Sequence, residues 1–537
     1  MRVGILDILA LPSRHAAETA YRLILTKQFA SVTPQAVSVW CRQLGHETFY
    51  TTYYGLGDPG RRLPRDLDIV FIACYTQASP LAYALAKIYR RAGVCTVIGG
   101  PHAKAFPLDC LRFFDLVVKE CDKDLVADIL AGRFEPGSVV SSPKPFDDLP
   151  TVEERMPEIR ASAFAFGRRR TFMTMIPMLA SMGCPYSCDF CIDWNNPYRL
   201  LSRERLAADL RYLAKHYPGV LIAFHDPNFA VKFDQVIGVL GSLPPGSRLP
   251  YLMESSLSIL RGARVEQLKE TNCIAVAPGI ESWVDYSNKA GLGRKAGREK
   301  VKQVAEHFRV LHEHVPYLTG NFIFGLDTDA GDEPIALTKE FMDRTPFVFP
   351  HINIPMPFGG TPLYDRHLAN GRILKAMPFG FYYAPYLVIT LKNYEPVAYY
   401  EKLIELFSHS SSRAMLRRRF QSAATWKVKL LHWARTVSTR VDVKNYRRIL
   451  GALRQDRRVR DFHEGKSEVL PEFYHQEYRR LFGAYADLLT AADRRPLFEP
   501  APSPAPAKTN LTQRALLLAR LNLEPGSNLG SLTPKIV

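Results

Sequence analysis

The run Asp68-Ile69-Val70-Phe71-Ile72-Ala73-Cys74 is apolar at nearly every position. A strand with one wet face alternates; a strand covered on both faces does not. Helices must supply the cover, and helix-like runs lie before it at 34–44 and after it at 80–92. Further strand-like runs fall at 3–9, 48–53, 94–98 and 115–119. This alternation predicts a doubly wound, Rossmann-like parallel sheet over residues 1–145, with its ligand at the carboxyl ends of the strands. Candidate ligand contacts are therefore the residues just past those ends: Tyr75, Thr76 and Gln77, then Gly99, Gly100 and His102, then Glu120. Paired glycines let a bulky group approach the backbone, although a tight strand-to-helix turn explains them equally well.

A second constraint is the run Gly183-Cys184-Pro185-Tyr186-Ser187-Cys188-Asp189-Phe190-Cys191, directly after a strand-like segment at 173–182. Three thiolates in C-x3-C-x2-C spacing can hold three irons of a [4Fe-4S] cube and leave the fourth iron without a protein ligand. A structural zinc site takes four ligands, usually as two separated pairs. No second pair follows, because the next cysteine, Cys273, stands alone. Cys41, Cys74, Cys95, Cys110 and Cys121 are also single and mostly in apolar runs, as buried thiols are. A disulfide framework is not expected, and a reducing cytoplasm suits both the thiols and an oxygen-sensitive cluster.

The central region, 146–394, continues as strands that each run into polar or glycine-rich turns. These turns are His225-Asp226-Pro227-Asn228-Phe229, Gly279-Ile280-Glu281-Ser282, Gly325-Leu326-Asp327-Thr328-Asp329 and Pro357-Phe358-Gly359-Gly360-Thr361-Pro362. The last strand is expected at 351–356. Polar residues after successive strands mark the catalytic face of a (β/α) barrel. The cysteine triad together with "HDPNF", "GIES", "GNFIFGLDTD" and "PFGGTPLY", in that order, resembles the radical S-adenosylmethionine (radical SAM) superfamily. Ahead of it, "LGHE", "DIVFIACYT", "VIGGPHA" and "DLVVKE" resemble the cobalamin-binding domain fused to many of those enzymes. The D-x-H-x-x-G motif of classical cobalamin domains is absent. The fifth strand ends in Lys119-Glu120-Cys121-Asp122 where a Gly-Glu-Gly turn is usual, so a scaffold domain without ligand is the alternative.

The resemblance implies a partial (β/α)6 barrel. It implies a [4Fe-4S] cluster on Cys184, Cys188 and Cys191, and SAM held by Phe190, Arg199, Asp226, Asn228, Glu281 and backbone around Gly320 and Gly325. His225 reads as a packed strand-end residue or a proton donor. Cobalamin would lie against Tyr75, Thr76, Gln77, Gly99, Gly100, His102 and Glu120. The implied activity is C-methylation of an unactivated carbon through a 5′-deoxyadenosyl radical and methylcobalamin, on a lipid or natural-product intermediate. A donor such as flavodoxin or ferredoxin would supply electrons. A radical SAM cyclase, oxidoreductase or rearrangement enzyme is the alternative within the superfamily, and a non-catalytic iron–sulfur protein the alternative outside it.

Residues 395–498 read as a basic helical region. Between Arg413 and Arg460, 15 Lys or Arg face only Asp442 and Asp456, which places +13 of the chain's +17 in one segment. Trp426, Leu430, Trp433, Val437 and Val441 line one helix face. The plain expectation is that this face packs on the barrel. Peripheral contact of 413–460 with the inner membrane surface is the second reading, and no nucleic-acid partner is expected, since no recognition module is visible. "FHEGKSEVLPEFYHQEYRRLFGAY" is expected to cap the barrel mouth, and 499–537 to be a Pro/Ala linker with a flexible tail.

Overall fold

The computed structural model describes residues 1–498 apart from 14, 15, 195, 230, 285, 287–289 and 292–294; the expected linker and tail at 499–537 lie outside the described residues. The first sheet comprises β1 (Arg2–Ile8), β2 (Glu47–Tyr53), β3 (Ile69–Cys74), β4 (Cys95–Gly99), β5 (Leu116–Val118) and β6 (Ser138–Val140). They pair in the order β2-β1-β3-β4-β5-β6, all parallel. Alternate side chains divide between the two faces, as the two-residue period of a strand demands. Val3, Ile5, Ile69, Phe71 and Val97 join one core with the helices Val32–Gln43 and Lys123–Leu130. Leu6, Ile8, Val70, Ile72 and Ile98 join another with the helix Ser79–Arg91.

The second sheet is also six-stranded and parallel. Its strands are β7 (Met175–Met178), β10 (Leu221–Phe224), β11 (Tyr251–Ser255), β12 (Cys273–Glu281), β13 (Tyr317–Ile323) and β14 (Val348–Asn353). The order β14-β13-β12-β11-β10-β7 leaves β14 and β7 as unpaired edges, so the barrel is partial. Between β7 and β10, a short antiparallel pair of β8 (Ser181–Met182) and β9 (Arg199–Leu200) closes the cysteine loop. Side-chain caps fix where the barrel helices begin: Ser202 Oγ accepts from Arg205 N at the helix Arg203–His216, and Thr361 Oγ1 from Tyr364 N at Pro362–Ala369.

The core that backs the first sheet runs on into residues of 324–406 and 446–489, so the N-terminal sheet and the C-terminal helices share one interior. The segment expected to cap the barrel mouth does something else. Its helix Glu472–Phe482 buries Tyr474 and Tyr478 against Phe381 and Tyr386. The chain beyond clasps the N-terminal region, where Arg112 donates to the Arg495 and Ala492 carbonyls at 2.9 and 2.6 Å. Tyr382 and Tyr383, which follow Phe381, line the barrel cavity.

The long helix Trp426–Gln455 also departs from expectation. Trp426, Leu430, Trp433 and Val437 are exposed, while Val428, His432, Thr436, Thr439, Val443 and Tyr446 are buried. The reason lies in the open barrel, whose inner wall at Tyr317 and Phe349 takes Ala423 and Val428 as its plug. Arg419 and Arg435 stack their guanidinium groups over the Phe349 ring at 4.8 and 5.7 Å.

Candidate functional site

Three cysteines reach the barrel mouth on one folded-back loop. β7 is wholly buried, and the chain after it is fixed by Asp226 at the end of β10. The Asp226 carboxylate accepts from Ala180 N at 3.0 Å, from Ser181 N and from Ser181 Oγ at 2.6 Å. Burial nevertheless pushes its pKa up to about 7. Asp226 thus anchors the root of the cysteine loop and does not line the cavity that the sequence assigned to it. Gly183 turns the chain with φ +72°, and a Cβ there would meet the Pro197 carbonyl at 2.2 Å, so only glycine fits. Within the loop Cys184 N donates to the Asn196 carbonyl at 3.4 Å and Cys191 N to the Cys188 carbonyl at 3.1 Å.

Cys184 and Cys188 are buried and Cys191 half-buried, and none of the chain's nine cysteines is in a disulfide. Among the described residues no three His, Cys, Asp or Glu side chains are drawn together as a metal cage. The loop therefore provides a donor set: three soft thiols on one short segment. That chemistry fits an iron–sulfur cluster with one iron left open.

Beside the loop, the ends of the barrel strands enclose a cavity of about 510 Å³. Phe190, Cys191, Asn228, Glu254, Glu281, Asn321 and His351 line it, together with Tyr382 and Tyr383. Phe190 stacks on Tyr286 at 5.9 Å, and the Tyr286 hydroxyl donates to Asp189 Oδ1 at 2.6 Å. Asn228 Nδ2 donates to Ser256 Oγ at 2.9 Å and lies 3.8 Å from Cys184 Sγ. Its Oδ1 is buried with no hydrogen-bond partner, an acceptor that a bound ligand would satisfy. Glu281 holds φ +65° and is buried, a strained backbone of the kind found at ligand sites. His351 keeps an open surface, yet the protein crowded around it and the Arg435 charge lower its pKa to about 4.

The space beside the two glycines expected near SAM is filled by packing. A Cβ on Gly320 would meet Ile280 and Val348, and one on Gly325 would strike Tyr399; their neighbours Asn321, Ile323 and Leu326 line the cavity. Arg199 also points elsewhere, donating to the Pro143 carbonyl at 2.8 Å and standing 3.9 Å from Asp147.

A second cavity, of about 320 Å³, lies between the carboxyl ends of the first sheet and the barrel. It sits where the strand order reverses around β1 and β3, the usual ligand crevice of such sheets. Tyr75, Gly99, Gly100 and Glu120 line it as expected. Tyr75 keeps 41% of its surface open, and that surface faces the cavity; desolvation still pushes the phenol up to about 12. Gly100 holds φ +86°, and a Cβ there would come within 3.2 Å of Cys74 N.

Three other assignments move. Gln77 lines the barrel cavity, and Thr76 is buried and lines neither. His102 is buried in the shared core, hydrogen-bonded to the Tyr83 hydroxyl at 2.6 Å and packed on Phe379 at 5.0 Å. A histidine after a Gly-Gly-Pro turn starts a helix, and its side chain follows that helix inward.

The structure also brings in residues that the sequence reading passed over. Asp7 accepts from Ser31 N at 2.8 Å, and burial pushes its carboxyl up to about 6. Lys104 pairs with Glu120 at 2.8 Å and reaches Asp193 of the cysteine loop at 3.9 Å. His225, which the sequence did single out as a packed strand-end residue or a proton donor, stacks on Phe29 at 6.2 Å, its pKa lowered to about 4 by burial. Asp193 and Pro227 line both cavities, so the two spaces adjoin across the cysteine loop. Asp7 and Glu254 carried a readable signal: each is a lone acid inside an otherwise apolar strand.

Residues 178–340 match the radical SAM superfamily. That segment is a radical SAM domain, and the chain is an enzyme whose chemistry there rests on a [4Fe-4S] cluster and SAM. Its relatives include two methyltransferases of Chlorobaculum tepidum. Bacteriochlorophyllide d C-8(2)-methyltransferase is 24% identical over 365 residues, 64% of this chain and 77% of that one. Bacteriochlorophyllide d C-12(1)-methyltransferase is 24% identical over 323 residues, 57% and 68% of the two chains. Among solved structures, the radical S-adenosylmethionine methyltransferase TsrM from Kitasatospora setae, with cobalamin and a [4Fe-4S] cluster bound, aligns with a TM-score of 0.47 and 15% identity. That alignment covers 69% of this chain and 78% of the other.

Proposed function

We propose that this chain is a cobalamin-dependent radical SAM C-methyltransferase acting on an unactivated carbon of a small, largely apolar molecule of the lipid or natural-product class. The observation that carries the reading is the pair of adjoining cavities at the carboxyl ends of two parallel sheets, with the cysteine loop between them. We read residues 1–145 as the corrinoid-binding unit, 146–394 as the radical SAM barrel and 395–498 as its helical support. When bound, the cluster and SAM supply a hydrogen-abstracting radical, and the corrinoid supplies a methyl group.

The protein's own contribution is placement. Cys184, Cys188 and Cys191 offer the thiolates, and Asp226 holds the strand from which their loop springs. Asn228 Oδ1 and the Glu281 carboxylate offer acceptors for an ammonium or for ribose hydroxyls, a role suited to a buried polar pair. Phe190 provides an aromatic face at the cavity edge. Tyr75, Gly99, Gly100 and Glu120 shape the neighbouring space, where the absence of side chains at the glycines admits a broad ring. Tyr382 and Tyr383 close the mouth and exclude water, which would quench a reactive species. An external one-electron donor completes the system.

The test is anaerobic reconstitution with iron, sulfide and hydroxocobalamin, desalting, and an absorption spectrum, followed by reduction with methyl-labelled SAM. Retained corrinoid near one per chain, release of 5′-deoxyadenosine, and label recovered with the corrinoid are the expected results. A cluster without retained corrinoid would overturn the methyl-transfer reading, and no 5′-deoxyadenosine under reduction would overturn the radical one.

A further inference from the structure

Three segments far apart in sequence place large apolar side chains on one outer face. The first is the outward stripe of the helix Trp426–Gln455, where Trp426 is 64% and Trp433 50% exposed, with Leu430 and Val437 beside them. The second is the run Phe166-Gly167-Arg168-Arg169-Arg170-Thr171-Phe172, in which Phe166 is 94% and Phe172 57% exposed. The two meet, because the Phe172 and Trp426 rings stand 6.4 Å apart. The third is the helix Ala16–Ile24, which exposes Tyr21, Leu23 and Ile24. Tyr21 lies close enough to Arg435 and Tyr317 to act on their charges. The turn after it is tied to the second segment by Lys27 Nζ donating to the Phe164 carbonyl at 2.7 Å. Clustered exposed aromatics of this size are uncommon on a monomer and mark a surface that something covers.

Charge identifies the occupant. No Asp or Glu occurs within 164–174 or 413–441. Arg168, Arg169, Arg170, Arg413, Arg417, Lys427, Lys429 and Arg440 are all exposed around the apolar stripe. A nucleic acid would want the basic side chains central and bases stacked on the rings. Here exposed aromatics and cations alternate along two adjoining segments, Trp426, Lys427, Lys429, Leu430 and Trp433 on the helix and Phe166, Arg168 to Arg170 and Phe172 in the loop, a mixture that suits the boundary between acyl chains and lipid phosphates. The described helices include none long and apolar enough to cross a membrane, so the contact is with a surface.

We propose that this face docks on an anionic bilayer, with Trp426, Trp433, Phe166 and Phe172 at the acyl boundary and the Arg168–170 run on lipid phosphates. The patch lies by the amino ends of the two edge strands of the barrel. Gln28 Oε1 accepts from Met175 N of β7 on one side, and Ala423 and Val428 pack on Phe349 of β14 on the other. The docking itself is independent of the reaction proposed above.

The test is co-sedimentation of the full reconstituted chain with vesicles of phosphatidylcholine, with and without phosphatidylglycerol. Binding is expected to be at least ~10-fold stronger to the anionic vesicles and to weaken with salt. Tryptophan emission should shift to the blue on binding. The triple variant Trp426→Ser, Leu430→Ser, Trp433→Ser should bind about 10-fold or more weakly at every salt concentration. Replacing Arg168, Arg169 and Arg170 by Gln should cost about 10-fold at low salt and little at high salt. All six side chains are exposed, so cluster content and thermal unfolding should stay at parental values, which separates lost docking from lost folding. The proposal is overturned if the parent stays in the supernatant with anionic vesicles at low salt, or if the serine variant binds as well as the parent. It is equally overturned if the serine substitutions split a parental dimer, or if single-stranded RNA binds this face and displaces the vesicles.

Discussion

The two cavities are built alike and finished differently. Each sits at the carboxyl ends of six parallel strands, and the two sheets present those ends to each other. In the N-terminal cavity Asp7 is paired with Ser31 and Lys104 with Glu120, His225 Nε2 is buried without a partner, and much of the remaining wall is Val97, Val118, Val126 and Ile129. In the barrel cavity polar groups turn inward: Glu254, Glu281, Asn321 and the unpartnered Asn228 Oδ1. The first space selects by shape and apolar contact, the second by hydrogen bonding. Mutations should therefore separate the cofactors proposed for each side, and the largest effects should appear where a donor atom is removed outright.

Cys188→Ala takes away one of three thiolates from a site with no fourth protein ligand. Iron and sulfide content should collapse and SAM cleavage should fall by about 1,000-fold or more. Corrinoid retention should fall far less than iron content, because the strand ends of the first sheet form most of the N-terminal cavity and the cysteine loop only its facing wall. Loss of corrinoid together with the cluster would show that the cavities are one site. The reverse experiment is Gly99→Val. A Cβ at Gly99 meets only the Val118 carbonyl, at 3.8 Å, and its φ is not positive, so the strand tolerates the change while the extra methyls enter the cavity. Corrinoid retention should fall by about 10-fold, with iron content unchanged.

Asn228→Ala asks whether the orphan acceptor is a ligand contact. Removing it should weaken SAM binding by about 5- to 30-fold, the worth of one or two buried hydrogen bonds, measured by equilibrium dialysis. A purely structural Asn228 would instead lower the melting temperature and leave the affinity of the folded fraction alone.

Much of this arrangement was legible in the sequence, and the failures have physical causes. The apolar runs located β1 to β5 within a residue or two, because strands covered on both faces leave little choice of residue. The last barrel strand was expected at 351–356 and lies at Val348–Asn353. Pro350 argues against a strand, but β14 is an unpaired edge of the barrel and tolerates it. The three-residue β6, Ser138–Val140, is too short to show a period. Within the site, strand ends marked the right loops but not the direction of each side chain. Asp226 and Asn228 are two residues apart, yet one anchors the loop and the other faces the cavity. The helix Trp426–Gln455 carries apolar residues on both faces, so the strongest stripe was read as the buried one. What fixed its orientation was the barrel's need for a narrow plug, a tertiary fact.

A last prediction compares the two regions through their buried titratable groups. In the N-terminal region burial lowers the His102 pKa from 6.5 to about 3. Between those values the unfolded chain binds a proton that the folded chain refuses, so this group's contribution to stability is complete above pH 6.5 and is lost as pH falls. Its slope is about 1.4 kcal/mol per pH unit, stability rising with pH. In the barrel burial raises the Asp226 pKa from 3.8 to about 7. Between those values the folded chain keeps a proton that the unfolded chain has released, so stability falls as pH rises, with a similar slope and the opposite sign. From about pH 4 to 6.5 the two contributions cancel. His102→Gln removes the rising term, so its urea midpoint relative to the parent should improve as pH is lowered through that window. Asp226→Asn removes the falling term, and its relative midpoint should improve as pH is raised. Parallel pH profiles for parent and both variants would mean that neither group keeps its buried protonation state, and that the N-terminal core and the root of the cysteine loop are wetter than their packing implies.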